Sequence, residues 1–245
     1  RILPARIVDP PALGALPASV ATEVVSGLSQ LIGDSEAEKR STVDALKELI
    51  ASDRTLMLPA IGALGEVALT DKLKPEVSAM AFGALPLADE SDLPTLLRVL
   101  LSSASGAPAA RTLRGLRAQI GTVSSGTLMV LLQVVTNALR VNSTTTKALM
   151  SQCAAAPEMS RWDATLLLLL LPLPRHVDAA TVTLSRVLRR GSLAPDDLTH
   201  CASQPALPQT CWAKLHLLVA TLLAENSPEG PPHGAWLAVH LIVAP

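Results

Sequence analysis

His200, Cys201, Cys211 and His216 come closest to a chemical site, because imidazole and thiolate are the donor types that bind zinc. Their spacing works against one. His200 and Cys201 are adjacent, no Cys-x-x-Cys knuckle is present, and Cys211 and His216 lie on one helical segment. Core thiols and surface or capping imidazoles are expected, with no metal. Acid–base or nucleophilic machinery is no better supported. Asp196 and Asp197 read as the first turn of a helix, where carboxylates complement the helix dipole. No glycine-rich phosphate loop follows a strand, and no Gly-x-Ser-x-Gly elbow occurs. The three cysteines, with Cys153, cannot form a disulfide framework, since one always stays unpaired; buried thiols in a reducing compartment are expected. The expectation is a protein without catalytic residues or cofactor, not an enzyme.

Arginines are the remaining candidates. Arg111, Arg114 and Arg117 recur every three residues, so a continuous helix would line them along one side, with Leu113 and Leu116 on another. Arg186, Arg189 and Arg190 form a second cluster at a helix end, where cations suit the dipole. Such stripes can contact DNA phosphates with a salt-dependent affinity, or be plain solvated faces. No aromatics are interleaved, so base stacking is not implied.

The elements that must carry these residues are helices. Aliphatic residues recur at three-and-four spacing throughout, and no alternating run argues for strands. The best-specified stretch is 89–101: Asp89 or Ser91 can cap, Asp92 complements the dipole, and Pro94 sits just inside the start. Leu93, Leu96, Leu97, Leu100 and Leu101 then form a buried face. Upstream, 1–17 is an extended lead-in with four prolines. Helices follow at 18–32 (stripe Val20, Val24, Leu28, Leu31), 35–51 (capped by Ser35, inner face Val43, Leu46, Leu49, Ile50), 53–69 and 73–85, the last with Phe82 on its inner face. Gly62 and Gly65 weaken the third helix, and close packing is the ordinary reason to keep them.

After a turn at 105–108, a short helix at 109–120 is stopped by Gly121. Further helices are expected at 127–141, 144–155, 161–171, 176–190, 195–202, 209–224 and 235–243, with 226–234 (NSPEGPPHG) as a surface loop. Two helices plus turns occupy roughly 40 residues, the size of a HEAT-type unit. The fold class expected is therefore all-α: an irregular HEAT-like α-solenoid of antiparallel helix pairs, with 1–245 as a single segment. A globular all-α domain is the alternative.

Composition agrees. The 245 residues are 49% hydrophobic and 17% charged, with no Tyr, one Phe and three Trp, so the core must be Leu, Ala and Val. A formal net charge of −1 gives no global pull toward nucleic acid or membrane. The apolar run at 164–173 is about half of the roughly 20 residues a membrane span needs, and Pro172 and Pro174 end it. No membrane partner is expected. Asn142-Ser143-Thr144 fits a glycosylation sequon, but nothing else suggests secretion. A chain that starts at Arg1 without Met and stops in an apolar run is expected to be a piece of a longer protein.

The order of segments resembles the N-terminal helical region of the Fanconi anaemia group D2 family. The stretches that carry it are 26–35 (SGLSQLIGDS), 45–64 (ALKELIASDRTLMLPAIGAL), 69–101 and 112–120, and more loosely 128–138, 186–191 and 211–223. The nearest match is 89–101, where the family also has an acidic residue before Leu-Pro and a long aliphatic helix ending in Ser. The resemblance implies a nuclear protein of DNA interstrand-crosslink repair. It implies a heterodimer with the Fanconi anaemia group I protein, a similar solenoid, and closure of that pair around double-stranded DNA. It further implies monoubiquitination on a lysine outside this segment, so ubiquitin would be attached elsewhere in the full-length chain. The alternative is an unrelated HEAT-like interaction scaffold in transport or signalling.

Overall fold

The structure, a computed structural model, describes residues 16–30, 35–67, 69–120, 123–202, 211, 214, 215 and 218. The lead-in's first fifteen residues, the 226–234 loop and the helix expected at 235–243 lie outside them, as does most of the helix expected at 209–224. Among the described residues the fold is all-α, with no strand. Packing divides the chain into two compact units, Arg1–Ala104 and Ser105–Pro245, where the sequence reads as one array.

The first unit holds α1 (Ala18–Gly27), α2 (Glu36–Ser52), α3 (Met57–Glu66), α4 (Lys74–Ala84) and α5 (Leu93–Ser103). Local chemistry sets several starts. The Ser35 side chain accepts the Glu38 N–H at the head of α2, and Asp53 accepts Thr55 N–H at the head of a 3-10 turn that runs into α3. Helix α3 packs on α1 and α5, and also on the neighbours α2 and α4. Packing of a helix on its second neighbour as well as its first is the contact pattern of a solenoid, in which each face is covered only by elements close in chain order. Glu76 of α4 joins Arg40 and Lys47 of α2, and these hydrogen bonds, Lys47 first, hold its carboxyl below the usual range.

Several expectations change here. Leu28, in the 3-10 turn after α1, is buried as expected, but within α1 the buried residues are Ala21 and Val25, one on from the expected Val20 and Val24, of which Val20 is exposed and Val24 half-buried. Leu31 lies outside the described residues. Phe82 is 53% exposed, not inward, because α4 turns Val77, Ala81 and Ala84 to its neighbours. Neither Asp89 nor Ser91 caps α5. Its N-cap is Asp92, which makes no side-chain capping bond, and the start is built by a backbone turn from Asp92 N–H to Asp89 C=O (3.0 Å) with Pro94 in the first turn. The expected leucines 93, 96, 97 and 100 are buried, Leu101 is half-buried, and Val99 joins the buried face.

The second unit holds α6 (Gly106–Gly115), α7 (Arg117–Ile120), α8 (Ser125–Val141), α9 (Ser143–Ala155), α10 (Arg161–Leu168), α11 (Val177–Arg189) and α12 (Pro195–Ala202). Helix α9 packs on α6, α8 and α11, and α10 packs on α11 and α12. Of the turn expected at 105–108 only Ser105 stays extended, and the helix has begun by the next residue: Gly106 opens α6 with φ 62, a left-handed conformation that glycine adopts without a Cβ penalty. Its N–H donates to Thr145 Oγ1 at 2.9 Å. Asn142 and Ser124 cap α9 and α8. Residues 162–171 are all buried, so the leucine run lies in the core of this unit. No helix of the described residues is long and apolar enough to cross a membrane.

Candidate nucleic-acid interface

The first arginine set does not lie along one continuous helix. The segment expected at 109–120 breaks at a turn at Leu116, which leaves Arg111 and Arg114 on α6 and Arg117 at the start of α7. The break coincides with a side-chain lock from α10. Leu113 C=O, one of the carbonyls left over in the last turn of α6, accepts the Trp162 indole N–H at 2.6 Å. Beside it, Arg114 Nε donates to Asp163 Oδ1 at 2.7 Å, and Nη2 approaches Oδ2 at 3.4 Å.

Asp163 is itself held. Its Oδ2 accepts Ser160 N–H (3.0 Å) and Ser160 Oγ (2.9 Å), while Ser160 Oγ accepts Asp163 N–H. This capping box starts α10. The hydrogen bond to Asp163 raises Arg114 above the usual guanidinium range, against the effect of burial. Arg114 is therefore a structural cation. Arg111 and Arg117 are exposed.

The second set stands at the end of α11. The helix closes in a Schellman motif: Gly191 N–H donates to Leu188 C=O and Ser192 N–H to Val187 C=O, both at 3.0 Å, with Gly191 at φ 69. Arg186, Arg189 and Arg190 are exposed, and Arg190 Nη1 donates to Ala154 C=O at 2.8 Å. With Val182 and Ser185 they line a cavity of about 310 Å³. Ser185 is a residue that sequence reading passed over. It is 3% exposed, and its Oγ has no hydrogen-bond partner. Thr181 and Thr183, on the same helix, do bond back to the carbonyls of Val177 and Ala179 at 2.8 Å. Nothing in the residue type marks Ser185. Ser160-x-x-Asp163, by contrast, is legible as a capping box.

Of the would-be zinc set, the described members His200, Cys201 and Cys211 form no group that could hold a metal ion. Cys201 is buried and donates to Arg161 C=O at 3.1 Å; Cys211 is buried, His200 is exposed and His216 lies outside the described residues. Burial pushes the thiols of Cys153 and Cys211 up to about 12 and raises Cys201. Protonated thiols are poor nucleophiles and poor ligands. Among the described residues no group of three or more His, Cys, Asp or Glu could hold a metal ion. Asp197 accepts Arg161 Nε at 2.7 Å, which ties α12 to α10. Compared with known proteins, the chain matches no family model and no curated protein. The geometry offers cationic surface on α6, α7 and α11, carried by a packed helical frame.

Proposed function

We propose that this chain is a segment of a non-enzymatic helical scaffold of the Fanconi anaemia group D2 type. It pairs with the group I protein and, with it, holds double-stranded DNA in interstrand-crosslink repair in the nucleus, with ubiquitin attached outside this segment. The observation that carries the reading is the packing of each unit. In the first unit α3 packs on its first and second neighbours in chain order, and in the second α9 packs on α6, α8 and α11; helices stacked in this way leave outer faces for a partner. The segment order of the sequence supports the particular family.

Action in such a protein is mechanical: stacked helices present surface, and small changes of packing open or close the pair. The cations available to phosphates on the first set are Arg111 and Arg117, since Arg114 is committed to Asp163. Sedimentation of the full-length chain with purified group I protein tests the pairing, and a defined one-to-one complex is expected. In that complex, R111A/R117A is expected to weaken duplex binding and lower the slope of log affinity against log salt by about two, one per phosphate contact. No association at micromolar concentration would overturn the family reading. An unchanged salt slope would make these two arginines a solvated face.

A further inference from the structure

At the end of α11 three arginines and Ser185 line one concavity. From this we infer that the cavity of Ser185, Arg186, Arg189 and Arg190 is a binding site for a phosphate monoester, carried on a phosphorylated side chain of a partner protein. The inference goes beyond the scaffold reading and does not rest on it, because the cavity is built whether or not the second unit meets a duplex.

The first reason is the orphan hydroxyl. A buried polar group without a partner is costly, and native proteins keep few of them. Ser185 Oγ is such a group, on a helix whose two nearby threonines satisfy themselves on the backbone. Ser185 lines the cavity, and a turn about χ1 that brings its enclosed Oγ to a phosphate oxygen held there would give it an acceptor.

The second reason is charge. The C-terminal end of a helix carries roughly half a negative charge, which disfavours an anion. Three guanidinium groups within five residues exceed that several-fold. Arg190 spends one N–H on Ala154 C=O, which fixes the side chain while leaving its other donors. Arg186, exposed at the cavity's edge, has its guanidinium fork available.

The third reason is shape and charge together. A duplex backbone is convex and carries one charge per phosphodiester, so it is met by cations spread along a surface. A monoester near neutral pH carries close to two negative charges on three acceptor oxygens at one point, which suits a concavity of about 310 Å³ lined by three arginines. Val182, 51% exposed on the same wall, offers apolar contact to the carbon side of the ligand.

The test titrates three probes into the full chain by calorimetry at low salt: a blocked phosphoserine tripeptide, inorganic phosphate and dimethyl phosphate. The tripeptide is expected to bind more tightly than inorganic phosphate, and dimethyl phosphate not to bind. R186A is expected to weaken the tripeptide about tenfold, the loss that follows from removing one hydrogen bond to a charged group. S185A should weaken it by a smaller factor while raising the melting temperature of the free protein, since it deletes an unsatisfied hydroxyl.

Equal binding of dimethyl phosphate would overturn the inference in favour of a nucleic-acid backbone contact. Equal affinity for inorganic phosphate would overturn the protein source. Unchanged affinity in R186A, or a lowered melting temperature in S185A, would also overturn it. None of these results touches the pairing or the salt slope of the R111A/R117A complex, so the two readings fail separately.

Discussion

Gly62 and Gly65 sit one turn apart on α3, and the structure assigns alanine opposite effects at the two sites. A glycine inside a helix costs about 1 kcal/mol relative to alanine, so each substitution starts with that gain. At Gly62 a new Cβ would lie 3.5 Å from Thr95 Cγ2, an ordinary contact, and G62A should keep the gain. At Gly65 the Cβ would fall within 3.0 Å of Val99 Cγ2, a separation that cannot stand. Val99 is 2% exposed and β-branched, so its χ1 is stiff within α5 and the helices must part instead.

Overpacking of this kind costs about 1–3 kcal/mol, which outweighs the propensity gain. G65A should therefore destabilise by about 1 kcal/mol net, near the middle of that range. Val99→Ala removes Cγ2 and leaves Val99 Cβ and Cα, at ordinary contact distances of 3.5 and 3.9 Å, so in that background G65A should stabilise by about 1 kcal/mol. The coupling between the two positions is then about 2 kcal/mol, far beyond what independent sites show. Thermal unfolding followed by circular dichroism on the four variants and G62A reads it. For a unit of this size 1 kcal/mol moves the midpoint by about 4–8 °C. A G65A protein that gains stability as G62A does, or shifts equally with Val99 and with Ala at that position, would refute the reasoning.

Two further outcomes follow from the second unit. R114A should cost about 2–3 kcal/mol in urea unfolding, toward the low side for a broken buried pair because Arg114 keeps 27% exposure and Asp163 retains its Ser160 bonds; W162F, which loses the indole donor to Leu113 C=O and part of a buried ring, should cost about 2–3 kcal/mol. A null effect of both would mean that the lock between α6 and α10 does not hold the break at Leu116. His176, 7% exposed, has its pKa lowered by burial, with Lys147 and Arg175 adding to it. The unfolded chain then takes up a proton first as pH falls below about 6.5, so stability drops from there down to the folded-state pKa and levels off below it. His176→Gln should remove that part of the pH dependence, and superimposable stability–pH curves would show that the imidazole is indifferent to folding.

Legibility in the sequence followed the reach of each interaction. Ser35, Asp53, Ser124, Asn142 and Ser160 cap helices by bonds to groups two or three residues away, so a short window contains both partners. Leucine stripes are equally local, since a helix alone dictates which positions share a face, and the buried face of α5 could be read off almost residue by residue. The end of the leucine run was less legible: α10 stops at Leu168, short of the expected 171, and the chain is already in turns before Pro172.

What needed the tertiary structure was every choice made by an element far along the chain. Arg114 reads as the middle of a cationic stripe, and only a carboxylate 49 residues away makes it structural. The lone phenylalanine reads as core, but α4 meets its neighbours through small residues and leaves Phe82 outside. Gly62 and Gly65 look alike in sequence, and the position of Val99 alone separates them. Ser185 carries no signal at all until burial is known and its helix partners are counted. Sequence alone determined that this protein is helical, where most helices begin and which stripes they bury, because a bond across three residues is set by the chain that contains it. Tertiary packing decided which arginine is committed to a carboxylate and which glycine is indispensable, because those depend on distances between segments that no local window contains.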